Sequence, residues 1–272
     1  MRELPVLECV VNISEGRDED VLAALRDACG PDLLDLHCDP DHNRSVFTLV
    51  GEMAPRRLAQ AAVATLDLNE HEGVHPRLGI VDVVPFISLD GIETDAVRAR
   101  DAFAKWAGET LTLPCFTYGD HRSLPEVRRE AFNGLAPDTG PNSPHPTAGA
   151  CAVGARPLLV AYNVWLPGTC LEVAREVARS IRQPGLRALG LRVGDRTQVS
   201  MNLTEPANLG PEQAFDLVAG LATDHGCAVQ GAELVGLIPA TVLHTISPDR
   251  WEELDLGEEC TIEWRIAHRS PN

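Results

Sequence analysis

The sequence predicts an α+β fold made of two tandem ferredoxin-like units, each with the element order strand, helix, strand, strand, helix, strand. This order is found in the first half of the chain and again in the second half, and a proline- and glycine-rich stretch at 136–149 separates the two. The length of 272 residues suits one large domain or two small ones. Each such unit forms an antiparallel sheet with its helices on one face. We therefore expect the free faces of the two sheets to face each other across a ligand cleft.

In the first half, short apolar runs alternate with segments of helical periodicity. The predicted elements are a strand at 6–13, a helix with Val21, Leu22, Leu25 and Ala28 on one face, strands at 33–37 and 45–51, a helix from Pro55 that carries Leu58, Ala61, Ala62 and Thr65, and a strand at 81–89. Ser14 or Asp18 can cap the first helix, because both side chains accept hydrogen bonds from unpaired backbone N–H groups. The pair Gly30-Pro31 ends this helix.

The second half repeats the pattern, and this repetition is what predicts a tandem fold. Its elements are a strand at 158–166, a helix at 171–181 with Val173, Ala174, Val177 and Ile181 in phase, strands at 186–193 and 198–203 joined by Gly194-Asp195, a helix from Pro211 that carries Phe215, Leu217, Val218 and Leu221, and a strand at 228–237. Pro211 fits the first turn of a helix, where the backbone N–H has no partner.

Charge and composition exclude several classes of protein. The 23 Lys and Arg residues against 40 Asp and Glu give a net charge of −17, which disfavours nucleic acid and anionic membranes as partners. The start of the chain has no apolar signal core, and the longest apolar run is interrupted by Asn163 and too short to span a membrane. The eight cysteines contain no CxxC pair, so we expect thiols and a cytoplasmic location, without a disulfide framework.

The stretch at 136–149 has no periodicity and is predicted to be a loop. It allows two interpretations, a plain interdomain linker or one wall of a binding site. Its four prolines make it stiff, whereas a linker is usually flexible or charged, and this favours the wall.

Residues 71–75 match the HExxH pattern of zinc proteases, in which two histidines four residues apart on a helix bind one metal. A helix is disfavoured here, because Gly73 weakens it and Pro76 moves His75 out of the α region. The zinc hydrolase therefore remains only a third interpretation, and no metal is expected. What remains is His75 on a turn before a strand, next to the cation of Arg77.

A second polar group, at 39–44, occupies the turn between two predicted strands. Asp, Pro and Asn are ordinary turn residues, but this chemistry leaves His42 and Arg44 unexplained. Asn12 and Asn163 are predicted at equivalent places near the ends of the first strand of each unit. Their amides would be costly in a core without partners, so we expect them to line a cleft.

Several segments together resemble the formiminotransferase family, whose members include glutamate formimidoyltransferase. The matching segments are 8–16, 41–46, 71–79, 82–86, 149–150, 154–156, 161–163, 198–203 and 234–239. They follow in order up to about residue 243, and no segment resembles the cyclodeaminase part of some relatives. The tail at 245–272 lies outside the resemblance.

The resemblance implies two α/β subdomains, at 1–155 and 156–272, whose sheets face each other across a ligand tunnel, in a homodimer. It implies transfer of the formimino group from N-formimino-L-glutamate to N5 of tetrahydrofolate, the co-substrate, in histidine degradation. The catalytic histidine falls on His75. The folate-contacting residues are Gly140, Pro141, Asn142, Ser143, Pro144, His145, Pro146, Thr147, Ala148 and Gly149.

The residue types suit this chemistry. A group with a pKa near neutrality can take the proton from N5 and return it to the leaving nitrogen of glutamate, and histidine is the natural choice. Both substrates are anionic, so we expect Arg44 and Arg77 to supply local positive charge, with Asn12, His42 and Asn163 as further substrate contacts.

Three departures from the family pattern keep alternatives open. Val74 stands where many relatives have Glu, His37 stands where animal relatives have an acid, and the stretch at 118–138 is short. The chain could accordingly be a non-catalytic folate- or pterin-binding paralogue, or a transferase with another formimidoyl or formyl donor.

Overall fold

The computed structural model describes residues 6–73 and 76–269, and these residues form two units. One unit contains the described residues up to Pro157 together with Arg269, and the other contains Leu158–His268. The first has a six-stranded mixed sheet and the second a four-stranded antiparallel sheet. The predicted α+β class with two sheets is therefore confirmed.

The first unit begins with the predicted order of elements and then extends it. Its elements are β1 (Leu7–Ile13), α1 (Glu19–Cys29), β2 (Leu33–Asp39), β3 (Arg44–Val50), α2 (Met53–Thr65), β4 (Val81–Ser88), α3 (Glu93–Thr110), β5 (Cys115–Tyr118), α4 (Leu124–Glu130) and β6 (Cys151–Ala155). The strand order is β2-β3-β1-β4-β6-β5, with β6 parallel to β4 and β5. Asp18 caps α1 by accepting from the N–H groups of Asp20 and Val21, and Gly30, at φ 63°, ends it.

The segment from α3 to β6 is the part of the first unit that the sequence patterns did not predict. The buried face of α3 consists mainly of alanines around Phe103, so its hydrophobic periodicity is weak. β5 has only four residues, and β6 reads Cys-Ala-Val-Gly-Ala, which lacks large apolar side chains. Both strands are nevertheless buried, because α3 packs on one face of the sheet and Val127 of α4 packs on the other.

The second unit keeps the simple order. Its elements are β7 (Val160–Pro167), α5 (Leu171–Ser180), β8 (Leu186–Val193), β9 (Arg196–Leu203), α6 (Pro211–Asp224), β10 (Gly231–Val235), α7 (Ala240–Leu243) and α8 (Ile262–His268). Its strand order is β10-β7-β9-β8, antiparallel throughout. The tail beyond 245 closes this unit, since the buried Tyr162 hydroxyl donates to Leu254 O at 2.8 Å and Leu234 N donates to Asp255 at 3.0 Å.

The cysteines correct one prediction. Cys170 and Cys227 form a disulfide, so the expectation that all eight are thiols is wrong for this pair. Cys170 lies directly before α5 and Cys227 follows α6, so the bond joins two helices that pack together in the second unit. Within the described ranges, the chain contains no helix long and apolar enough to cross a membrane.

Candidate functional site

The segment that carries the HExxH letters is irregular on both sides of its centre. Val74 and the predicted catalytic His75 lie outside the described residues, while 71–73 and 76–77 have no helical structure. The helix that a zinc protease requires is therefore absent from the described parts of this motif. Gly73 is packed so closely that a Cβ there would lie 2.6 Å from the carbonyl oxygen of His42.

Hydrogen bonds join the residues before His75 to two other predicted segments. Asn43 Nδ2 donates to Glu72 O at 2.9 Å, and His71 Nε2 donates to Asn43 O at the same distance. Asn43 Oδ1 in turn accepts from Gly16 N at 2.9 Å. The segments 8–16, 41–46 and 71–73 therefore meet at Asn43, a residue whose role the turn pattern did not suggest.

The residues after His75 are bound to a buried carboxylate. Asp82 is fully buried and accepts from Arg44 Nη1 at 2.7 Å, from Arg128 Nη2 at 2.6 Å and from Leu78 N at 2.8 Å. Burial alone would raise the pKa of Asp82, but the Arg44 and Arg128 guanidinium groups outweigh it and lower that pKa. The carboxylate is therefore ionised at neutral pH and fixes two cations beside β4.

Arg44 also connects Asn12 to this cluster. Its Nε and Nη2 donate to Asn12 Oδ1 at 3.1 and 2.8 Å, so one guanidinium bridges an amide and a carboxylate. Burial lowers the pKa of Arg44, although Asp82 opposes that effect. The structure thus brings Asn12 and Arg44 together and gives the half-buried Asn12 amide of β1 a charged partner.

His42 forms a second charged pair, with Asp39 at the end of β2. His42 Nδ1 is hydrogen-bonded to the Asp39 carboxylate, and both side chains are largely buried. The hydrogen bond raises the pKa of His42 against the effect of burial. Burial would raise the pKa of Asp39, but its hydrogen bonds with His42 lower it. This geometry favours the protonated form of His42, paired with the Asp39 carboxylate.

The stretch at 136–149 contains no helix or strand, which confirms the predicted loop. Its interpretation as an interdomain linker is wrong, because β6 follows it in the sheet of the first unit. Leu68 N donates to Thr147 O at 2.7 Å, and Ile80 N donates to Ala148 O at 3.0 Å. The loop is therefore bound to the residues on both sides of the 71–79 segment.

Two further contacts fix the end of this loop. His145 Nδ1 accepts from Ala148 N at 3.0 Å, which closes a tight turn before Gly149. A Cβ on Gly79 would lie 2.2 Å from Ala148 O and 2.4 Å from Ala150 O, so only glycine fits there. The predicted folate-contacting stretch thus ends against the start of β4.

The second unit contains one predicted site residue. Asn163 lies in the middle of β7, whereas Asn12 lies near the end of β1, so their predicted equivalence is wrong. Asn163 Nδ2 donates to Glu233 Oε2 at 2.9 Å, across the pair β7–β10. Asn163 is therefore bound to an acid, while Asn12 is bound to a cation.

Asp82 and Arg128 are the site residues that sequence reasoning missed. Asp82 belongs to a matching family segment but reads as one polar residue in an apolar strand, and Arg128 lies in the short stretch at 118–138. One signal was available, since Ser123 and Glu126 form a capping box that marks the start of α4. In the part of the chain that the structure describes, no group of three or more His, Cys, Asp or Glu residues is arranged to hold a metal ion.

Comparison with known proteins assigns this arrangement to a family. Residues 6–156 match the formiminotransferase domain, N-terminal subdomain. The chain is 36% identical to the glutamate formimidoyltransferase of Streptococcus pyogenes serotype M1, over 88% of this chain and 90% of that protein. The chain belongs to the formiminotransferase family. The predicted resemblance is confirmed, and this formiminotransferase-family chain is a transferase.

Two other relatives show the same relationship. The glutamate formimidoyltransferase of Thermoplasma acidophilum is 34% identical to this formiminotransferase-family chain, over 88% of the chain and 90% of that protein. The formimidoyltransferase-cyclodeaminase of Sus scrofa is also 34% identical, but the match covers 51% of its length. The similarity is therefore to one part of that longer protein.

Proposed function

We propose that this transferase moves the formimino group of N-formimino-L-glutamate to N5 of tetrahydrofolate, as a step of histidine degradation, with His75 as the general acid and base. One observation carries the proposal. The segments at 8–16, 41–46, 71–73 and 76–79 are joined by hydrogen bonds within the first unit, and the loop at 140–149 is hydrogen-bonded to the neighbouring Leu68 and Ile80, although these parts are far apart in sequence.

The proposed reaction needs one proton carrier. N5 attacks the formimino carbon, a tetrahedral intermediate forms, and His75 takes the proton from N5. The same proton then goes to the glutamate nitrogen as its bond to the formimino carbon breaks. General acid–base help of this kind contributes about 10²- to 10⁴-fold in rate, and the positioning of two bound substrates adds to it.

The proposed substrate contacts divide into two groups. The loop residues at 140–149 contact folate, and the residues that bind the anionic parts of the substrates are Asn12, His42, Arg44, Arg77 and Asn163. Arg44 already donates to Asn12 and Asp82, so its contribution is its charge together with the orientation of the Asn12 amide.

The finer features of the fold belong to the same proposal. We propose two ferredoxin-like subdomains, at 1–155 and 156–272, with facing sheets, in a cytoplasmic homodimer. The orders β2-β3-β1-β4 and β8-β9-β7-β10 support the ferredoxin-like part, since each follows from a βαββαβ unit.

The test is an assay of the purified full chain with tetrahydrofolate and N-formimino-L-glutamate, stopped with acid and read by the absorbance of the methenyl folate product. We expect product with the wild type, and at least about a hundredfold lower turnover with unchanged folate binding in His75→Ala. His121→Ala, in the same unit but on an exposed turn, is the matched control. Saturable folate binding without product would instead favour the non-catalytic paralogue, and product from another donor would change the substrate.

A further inference from the structure

Arg128 of α4 makes contacts that the fold of α4 does not need. The helix is anchored to the sheet by Val127, which is fully buried. Arg128 extends away from this anchor and donates through Nη1 to Pro76 O at 2.9 Å. Its Nη2 donates to Asp82 Oδ2 at 2.6 Å. One side chain therefore joins a backbone carbonyl of the irregular segment to a buried carboxylate of the sheet.

Asp82 holds this guanidinium at a fixed place and angle. The Asp82 side chain has no exposure, and that of Arg128 has 21%. The Asp82 carboxylate also accepts from Leu78 N, so the same acid binds Arg128 and the backbone two residues after Pro76. A charged hydrogen bond to a planar guanidinium fixes direction as well as distance. The Arg128–Asp82 pair therefore fixes the backbone of residues 76–78.

The backbone at residues 72 and 73 is also held by hydrogen bonds. Arg77 Nη2 donates to Gly73 O, and Glu72 O accepts from Asn43 Nδ2. The two stretches that flank positions 74 and 75 are thus fixed by side chains from three separate parts of the chain. None of these bonds belongs to the hydrogen-bond ladder of the sheet.

We infer that Arg128, held by Asp82, is a positioning residue that orients the backbone next to His75 for the reaction. The inference rests on the proposed function, in which His75 carries the proton. Arg128 touches Pro76, the residue directly after His75, and Pro76 has a fixed φ, so the carbonyl that Arg128 binds constrains the chain at this point. A displacement of about 1 Å in a catalytic group can cost about a hundredfold in rate.

The first experiment compares Arg128→Gln and Arg128→Lys with Arg129→Gln in the same assay. Arg129 is the matched control, because its side chain is 63% exposed and pairs with Glu130 at the surface of the same helix. We expect Arg128→Gln to lower kcat by about 10- to 100-fold while KM for tetrahydrofolate changes less than about threefold. Arg128→Lys should recover part of the loss, and Arg129→Gln should match the wild type.

A double variant separates this role from a merely structural one. If Arg128 acts through His75, the pair His75→Ala with Arg128→Gln should turn over no more slowly than His75→Ala alone. Losses that multiply would overturn the inference, as would a wild-type kcat in Arg128→Gln or a loss that lies wholly in KM. Thermal unfolding of each variant is followed in parallel, and a loss of kcat that tracks a loss of folded protein also counts against the role.

The outcomes keep the two proposals apart. Wild-type turnover in His75→Ala removes the proposed function and the inference with it. Slow turnover in His75→Ala together with fast turnover in Arg128→Gln removes only the inference.

Discussion

The two units share an order of elements but differ in how they join the strands of their central hairpins. In the second unit, β8 and β9 are connected by Gly194 and Asp195 alone, with Gly194 at φ 57°. In the first unit, β2 and β3 are connected by the four residues 40–43, which bring the His42 carbonyl and the Asn43 side chain to the segment at 71–73. The short turn only closes a hairpin. The longer turn contacts residues that are distant in sequence. A small difference in turn length therefore distinguishes a plain hairpin connection from a turn that forms part of the candidate site.

The units also differ in how deeply an acidic side chain of the sheet is buried, and the largest expected effect tests this difference. Asp82 is fully buried between two guanidinium groups, whereas Glu233 of β10 is only half-buried and binds the Asn163 amide. We expect Asp82→Asn to lower the free energy of unfolding by about 3–5 kcal/mol, because two largely but not fully buried guanidinium groups lose their counter-charge. Glu233→Gln should cost about 1 kcal/mol or less.

Urea unfolding of the two variants, followed by circular dichroism, measures both values. Similar losses for Asp82→Asn and Glu233→Gln would show that burial between cations does not distinguish the two acids.

The disulfide gives the second unit a constraint of its own. Cys170 and Cys227 are 57 residues apart, and closing a loop of this length stabilises a fold by about 2–4 kcal/mol through the unfolded state. Reduction should therefore destabilise the second unit and leave the first unchanged. Hydrogen exchange with and without reductant, read by peptide mass spectrometry, locates the effect. Cys38→Ser, at an exposed thiol of the first unit, is the control. Equal protection in both states would contradict the prediction.

The smallest effect concerns the turn of the first unit. The pKa of His42 is raised, so its pairing with Asp39 stabilises fully below about pH 6.5 and is lost as pH rises through the raised pKa. The pKa of Asp39 is lowered, so its share is present above about pH 4 and is lost as pH falls further. We expect His42→Gln to cost about 0.5–1 kcal/mol at pH 6 and less at pH 8.5.

Thermal unfolding across this pH range checks the sign. His244→Gln, which removes a half-exposed pair with Glu258 in the second unit, should change little, because solvent screens that pair. A cost for His42→Gln that grows from pH 6 to pH 8.5 would refute the assignment.

Local patterns predicted much of the fold. β8 has the predicted bounds, and α6 begins at Pro211 as predicted, because apolar spacing and a first-turn proline are signals within a few residues. The alanine-rich face of α3 and the small residues of β6 gave no such signal. The parallel pairing of β6 with β4 and β5 also depends on contacts far apart in the chain, which no local pattern records.

The candidate site, like the fold, could be predicted only in part. The turn at 39–44 could be predicted as part of the site, because it contains His42 and Arg44, residue types that a turn does not need. The bond between Arg128 and Asp82 joins positions 46 residues apart, and no spacing of residues in the sequence indicates it. The partner of Asn12 could not be predicted either, because no local pattern indicates that the Arg44 guanidinium donates to the Asn12 amide.

The close packing of Gly79 against Ala148 and Ala150 has a consequence for how this family can change over time. Leu78 O accepts from Ala150 N and Ala148 O accepts from Ile80 N, so residues 78–80 and 148–150 lie side by side. The chain between them forms an excursion that begins and ends at the same place in the fold. Insertions and deletions in the loops of the intervening excursion change its contour length, and the entropic cost of such changes grows slowly. The loops of that excursion can therefore vary in length at small cost, while a single added methyl group at Gly79 would separate its two ends.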